Sequence, residues 1–210
     1  MKIIIVAAGN APGKELVFKE LNKNSLIMAA DGGGNYLYRY GICPDYLIGD
    51  MDSINPNVLE HFVKKGVSII EYPVEKDYTD GQLSVYKALT LKPKEIVILG
   101  ALGGVRVDHF LGALGWLECC LENGVNGLLE DEYQLVRLFD RSTTISGEKG
   151  MKFSLQAYGG TVRNLSIRGS KYILDNYLLR IGDSRTIANE FKTHLVEISF
   201  ESGKLLVITY

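Results

Sequence analysis

Short runs of Ile, Val, Leu and Ala alternate with longer segments of helical spacing through the first 130 residues, and this alternation restricts the fold more than any other feature. The apolar runs are Ile3–Ala8, Leu26–Ala30, Tyr46–Ile48, Val67–Tyr72 and Glu95–Leu99. They are too short for helices and too continuously apolar for half-exposed strands, so they read as strands buried on both faces. The intervening segments, residues 14–22, 33–40, 56–65, 79–91 and 107–123, read as helices. Such alternation predicts a parallel sheet with helices on both faces, a Rossmann-like three-layer α/β domain. Ligands of these sheets sit at the carboxyl ends of the strands.

After Asp140 the texture changes. Thr143–Ile145, Phe153–Leu155, Thr161-Val162, Tyr172–Leu174, His194–Phe200 and Leu205–Tyr210 are brief runs separated by glycines, among them Gly147, Gly150, Gly159-Gly160, Gly169, Gly182 and Gly203. Short strands between glycine turns predict a small all-β sandwich, which divides the chain into an α/β domain of residues 1–140 and a β domain of residues 141–210. A core drawn from so few residues is small, and it is expected to pack on the α/β domain or on a second subunit. The division is also electrostatic: residues 1–140 carry 13 Lys and Arg against 19 Asp and Glu, residues 141–210 carry 10 against 6. The sum is only −2, without the positive field of a protein that holds nucleic acid through its phosphates. Cys43, Cys119 and Cys120 match neither a disulfide framework nor a zinc site. The first residues read as a buried strand rather than a signal peptide, and no stretch has the length of a membrane span, so a cytoplasmic protein with no membrane partner is expected.

Acidic residues fall where strands are expected to end. Asp31 opens Asp31-Gly32-Gly33-Gly34, where glycines admit a close ligand and bare amides at a helix start attract anions, or else simply make a tight turn. Asp50 and Asp52 of Gly49-Asp50-Met51-Asp52-Ser53 share one face of an extended segment and suit a hard cation such as Mg²⁺; the plainer role for Asp52 is a helix cap. In Lys76-Asp77-Tyr78-Thr79-Asp80, Asp77 or Thr79 suits a helix cap, while Asp80 in the first turn faces the cleft. Gly100 to His109 supplies Arg106 for phosphate oxygens and Asp108 to orient Arg106 or His109. The chain has neither Gly-x-x-x-x-Gly-Lys-Ser/Thr nor Gly-x-Gly-x-x-Gly, so it carries neither a P-loop nor the usual dinucleotide fingerprint. Acids that hold a polyphosphate need a divalent metal between like charges and an arginine for the charge that develops on transfer.

Asp31-Gly32-Gly33, Pro44 to Ser53, Lys76 to Asp80 and Arg106 to His109 stand in the order and spacing of the thiamine pyrophosphokinases, and with Asp131-Glu132 the chain resembles that family over nearly its whole length. The resemblance implies a homodimer of an α/β domain and a β sandwich. It further implies Mg²⁺-dependent transfer of pyrophosphate from ATP to thiamine, giving thiamine diphosphate and AMP. By the same resemblance Asp50, Asp52 and Asp80 are the metal and phosphate carboxylates and, with Arg106, the catalytic set. Asp31, Gly32, Gly33, Asp77, Thr79, Arg106, Asp108 and His109 correspond to the ATP and phosphate neighbours. In the β domain Gly169-Ser170-Lys171-Tyr172 and Ala188-Asn189-Glu190-Phe191 match segments that line the family's thiamine site, which assigns Lys171, Tyr172, Ala188 and Asn189 to thiamine. Ala188 stands where the family has Ser, and Val105 separates Gly104 from Arg106. A related Mg²⁺-dependent phosphotransferase with another acceptor, and an ATP- or thiamine-binding sensor without turnover, are the alternatives.

Overall fold

The computed structural model describes all of residues 1–210, which form two compact units, Met1–Glu132 and Tyr133–Tyr210. In the first, β1 (Lys2–Val6), α1 (Lys14–Glu20), β2 (Ser25–Ala30), α2 (Gly33–Tyr40), β3 (Tyr46–Gly49), α3 (Pro56–Lys64), β4 (Ser68–Glu71), α4 (Asp80–Thr90), β5 (Glu95–Leu99), α5 (Val107–Glu122) and β6 (Asn126–Glu130) alternate along the chain. Every strand pairing is parallel, in the order β4-β3-β2-β1-β5-β6. Ile4 of β1 lies opposite Ile27 of β2 and Val97 of β5. Ile3, Ile4, Ile5 and Val6 are wholly buried, because a strand between two neighbours and two helical layers has no solvent face. Helix α2 packs with α3, and α4 with α5.

Two elements differ from the sequence reading. Strand β4 is only partly buried, since it is the sheet edge and its outer side has no partner strand. Strand β6, Asn-Gly-Leu-Leu-Glu, escaped notice because its apolar run is two residues long, yet Gly127 to Glu130 are buried beside β5. From β1 the chain steps outward through β2, β3 and β4, then returns to place β5 on the other side of β1. The order therefore reverses at β1, and a ligand crevice is expected beyond its carboxyl end.

The second unit holds β7 (Leu135–Phe139), β8 (Thr143–Ser146), β9 (Lys152–Arg168), β10 (Leu174–Leu179), β11 (Asn189–Glu190), β12 (Leu195–Ser199) and β13 (Ser202–Thr209). Strand β7 pairs along its length with β13, so the boundary falls after Glu132 rather than after Asp140. What read as two short strands separated by Gly159-Gly160 is one long strand, β9. Gly159, at φ +66°, bends it. Its first half, to Tyr158, pairs with β13, which after a register shift also meets Arg163, and its second half, from Val162, pairs with β10 and β12. The strand thus belongs to both sheets of a sandwich, whose shared core includes Phe153, Leu155, Leu165, Phe191, Val196 and Leu205. No helix of the chain is long and apolar enough to cross a membrane.

Candidate active site

Four aspartates meet at the carboxyl ends of β2 and β3 and the start of α4. Asp31 follows β2 in a left-handed conformation, φ +40°, and is buried. Its Oδ2 accepts from the Ser53 amide at 3.0 Å and its Oδ1 from the Ile54 amide at 3.2 Å, so Asp31 ties the end of β2 to the loop after β3. Burial pushes its carboxyl up from the ordinary range, against the opposing effect of the Ser53 bonds. Carboxylate oxygens of Asp31, Asp50 and Asp52 lie within 4.8 Å of one another.

Asp80 reaches the group from the first turn of α4, which Thr79 caps by accepting from the Gln82 amide at 3.3 Å. Thr79 is therefore the cap, and Asp77 is not. Asn55, not Asp52, caps α3, which leaves the Asp52 carboxylate with the acidic cluster. A Cβ on Gly49 would lie 2.8 Å from Asp31 Cβ and 3.0 Å from Asp80 Cγ, so only glycine at the end of β3 lets the two aspartates approach. Lys76 bridges the cluster: its Nζ is bonded to Asp50 and stands 3.0 Å from Asp80 Oδ1. Asp50 is held below its usual range chiefly by Lys76, whereas burial pushes Asp80 up. Asp80 Oδ1 is buried, and although ion-paired with Lys76 it receives no well-aligned hydrogen bond. One ammonium among four carboxylates, with a buried oxygen short of a donor, suits a divalent cation.

Beside this cluster lies a cavity of about 540 Å³, lined by Ala7, Ala8 and Gly9 after β1, by Asp31 and Ser53, by Lys76 to Gly81, and by Gly100 to Ala101 and Gly103 to Arg106 after β5. His109 and Trp116 of α5 complete the wall. The crevice is thus where the strand order reverses. Asp31, Asp77, Thr79, Asp80, Arg106 and His109 line it as the sequence suggests. Gly32 and Gly33 do not line it. A Cβ on Gly33 would stand 2.0 Å from the Val6 carbonyl oxygen, so this glycine lets α2 settle on β1. Asp108 is exposed and pairs through both oxygens with Arg106, which holds its carboxyl down at about 2.

Lys76 and Trp116 are the residues that sequence reasoning passed over. Lys76 was visible as the cation within an acidic knot, whereas nothing in the spacing of α5 marks Trp116 as a cavity residue. In the second unit Lys171, Tyr172, Ala188 and Asn189 come together. The buried Asn189 side chain accepts from the Tyr172 amide at 3.0 Å and donates to the Tyr172 carbonyl at 2.8 Å. Tyr172 as a residue is 61% exposed, with Lys171 Nζ 5.7 Å from its ring centroid and 3.2 Å from Glu190. Ala188 takes a left-handed conformation, φ +56°, and its amide donates to Ser154 Oγ at 2.9 Å.

Aspartates gathered where a parallel sheet ends, outnumbering the lysine among them, suit an enzyme that transfers a phosphate-containing group, and that is the class of this protein. Residues 17–129 match the family model for the thiamin pyrophosphokinase catalytic domain, and residues 142–205 match that for the thiamin pyrophosphokinase vitamin B1 binding domain. The chain belongs to the thiamine pyrophosphokinase family. It is 29% identical to thiamine pyrophosphokinase of Bacillus subtilis over 99% of this chain and 98% of the relative. Thiamine pyrophosphokinase 2 of Arabidopsis thaliana is also 29% identical, over 88% and 78%. Among solved structures, thiamine pyrophosphokinase of Bacillus subtilis superposes with a TM-score of 0.89 at 27% identity, over 100% of this chain and 98% of that one. A thiamin pyrophosphokinase family protein from Enterococcus faecalis gives 0.84 at 28%, with the same coverage.

Proposed function

We propose that this chain transfers the pyrophosphoryl group of ATP to the hydroxyethyl oxygen of thiamine, releasing AMP, and that the cavity at the carboxyl edge of the parallel sheet is where ATP binds. The observation that carries the reading is the meeting of Asp31, Asp50, Asp52 and Asp80 beside that cavity, with Asp80 Oδ1 short of a donor. Asp50, Asp52 and Asp80 would hold Mg²⁺, with Asp31 bracing the loop that carries Asp50 and Asp52. When bound, the ion neutralises polyphosphate charge and so favours attack by the thiamine hydroxyl. The chain's own part is positioning and electrostatic. Arg106 donates from its guanidinium to phosphate oxygens, with Asp108 orienting it. Lys76 supplies a second positive charge at the cavity wall, and Asp77, Thr79 and His109 line the nucleotide side.

In the β unit Tyr172 offers its exposed ring to the aromatic rings of thiamine, held in place by Asn189, with Lys171 and Ala188 beside it. The form we propose is a cytoplasmic homodimer. Product analysis tests the chemistry: ATP, thiamine and Mg²⁺ should give equal amounts of AMP and thiamine diphosphate by chromatography. ADP with thiamine monophosphate would overturn pyrophosphoryl transfer, and tight binding of ATP and thiamine with no product would favour the sensor.

A further inference from the structure

We infer that Lys76 is the acidic cluster's built-in counter-cation, a positioning residue that holds Asp50 and Asp80 together when no divalent ion is present and competes with that ion for the same oxygens. This rests on the proposal that the cluster takes a divalent cation. Lys76 Nζ is bonded to Asp50 and lies 3.0 Å from Asp80 Oδ1, and its side chain is only 12% exposed. A lysine so placed is committed to the cluster and not to solvent. Without it, four aspartates on β2, β3, α4 and their loops would repel one another across a few ångströms, and the half-buried Asp50 and Asp80 would have no counter-charge. An ion arriving alone must therefore displace an ammonium already bonded to Asp50 and ion-paired with Asp80. An ion arriving with a polyphosphate meets a different balance, because phosphate oxygens at the cavity wall give the displaced ammonium a new anionic partner. Lys76 should thus make the site weak for the bare metal and strong for the metal with its nucleotide.

The test is calorimetric titration of the nucleotide-free protein with Mn²⁺ alone, alongside thermal unfolding in chelator and in Mn²⁺. Lys76→Met should bind Mn²⁺ about tenfold or more tightly than the unaltered protein, unfold at lower temperature in chelator, and recover its stability when Mn²⁺ is added. Lys76→Arg, which keeps the cation, should bind bare Mn²⁺ as weakly as the unaltered protein. Lys76→Gln gives the same reading as Lys76→Met should the latter fail to fold. Equal Mn²⁺ affinity in the unaltered protein and in Lys76→Met or Lys76→Gln overturns the competition while leaving the metal site intact. If neither protein binds Mn²⁺ even with a non-hydrolysable ATP analogue, the metal reading of the cluster falls, and the inference falls with it.

Discussion

Asp31, buried, and Asp80, half-buried, both stand near Gly49, yet their surroundings give them different tasks. Asp31 uses both oxygens on backbone amides, and only its short polar side chain suits the left-handed turn it occupies. Asp80 has its Oδ1 turned to Lys76 with no well-aligned donor. Asp31→Ala should therefore cost about 2–4 kcal/mol of stability, because the Ser53 and Ile54 amides lose their acceptors in a poorly solvated place. Asp80→Asn should leave stability within about 1 kcal/mol, since it removes a charge raised in energy by burial, while lowering kcat about 100-fold or more. Urea unfolding and turnover measured on both variants separate the two roles. An Asp31→Ala protein as stable as the parent would show that the bonds are not a brace, and parental kcat in Asp80→Asn would remove Asp80 from the mechanism. The sequence marked both residues as acids at strand ends but could not distinguish them, because the difference lies in which loop amides fold back toward each one.

Strands β1, β2, β3 and β5 were legible because burial on both faces leaves continuous apolar runs, and α2 appears at residues 33–40 as its spacing suggests. Strand β9 was not legible, because a glycine pair in a continuing strand has the same composition as a glycine turn; only its pairing with β13 on one side and β10 and β12 on the other distinguishes them. The start of α4 was legible as a cap and an acid but not as a packing contact. A Cβ on Gly81 would stand 2.3 Å from the Trp116 indole of α5, so the close approach of these helices depends on glycine next to Asp80. Gly81→Ala gains about 1 kcal/mol in helix propensity, but overpacking typically costs 1–3 kcal/mol, and the rigid indole makes overpacking the larger effect. The variant should unfold at lower temperature and shift the emission of Trp116, the single tryptophan of the chain. Trp116→Leu in the same background should recover part of the lost stability, a coupling expected of side chains in contact. A Gly81→Ala protein with raised stability and unchanged emission would mean that the indole moves aside freely.

Moving the boundary between the units from Asp140 to Glu132 transfers one arginine and one aspartate, so the first unit remains at 12 basic against 18 acidic residues and the second at 11 against 7. The excess acid of the first unit includes the cluster at the sheet edge, whereas the cationic second unit gains nothing from attraction to cationic thiamine. Its size is the stronger clue. A sandwich built from Tyr133–Tyr210 still exposes Tyr172, Ile173, Ile181 and Leu195, each more than half accessible, and so small a domain buries a smaller share of its surface than a large one. A second copy of the chain is the cover proposed here. Light scattering at micromolar concentration should then give twice the 23.3 kDa of one chain. If the substrate site is shared between copies, activity per chain should fall on dilution into the range where that mass halves, and adding protein should restore it. A mass of one chain at full specific activity would remove the dimer from the proposal. A stable dimer whose activity per chain follows no change in mass would keep the dimer but confine each thiamine site to one subunit.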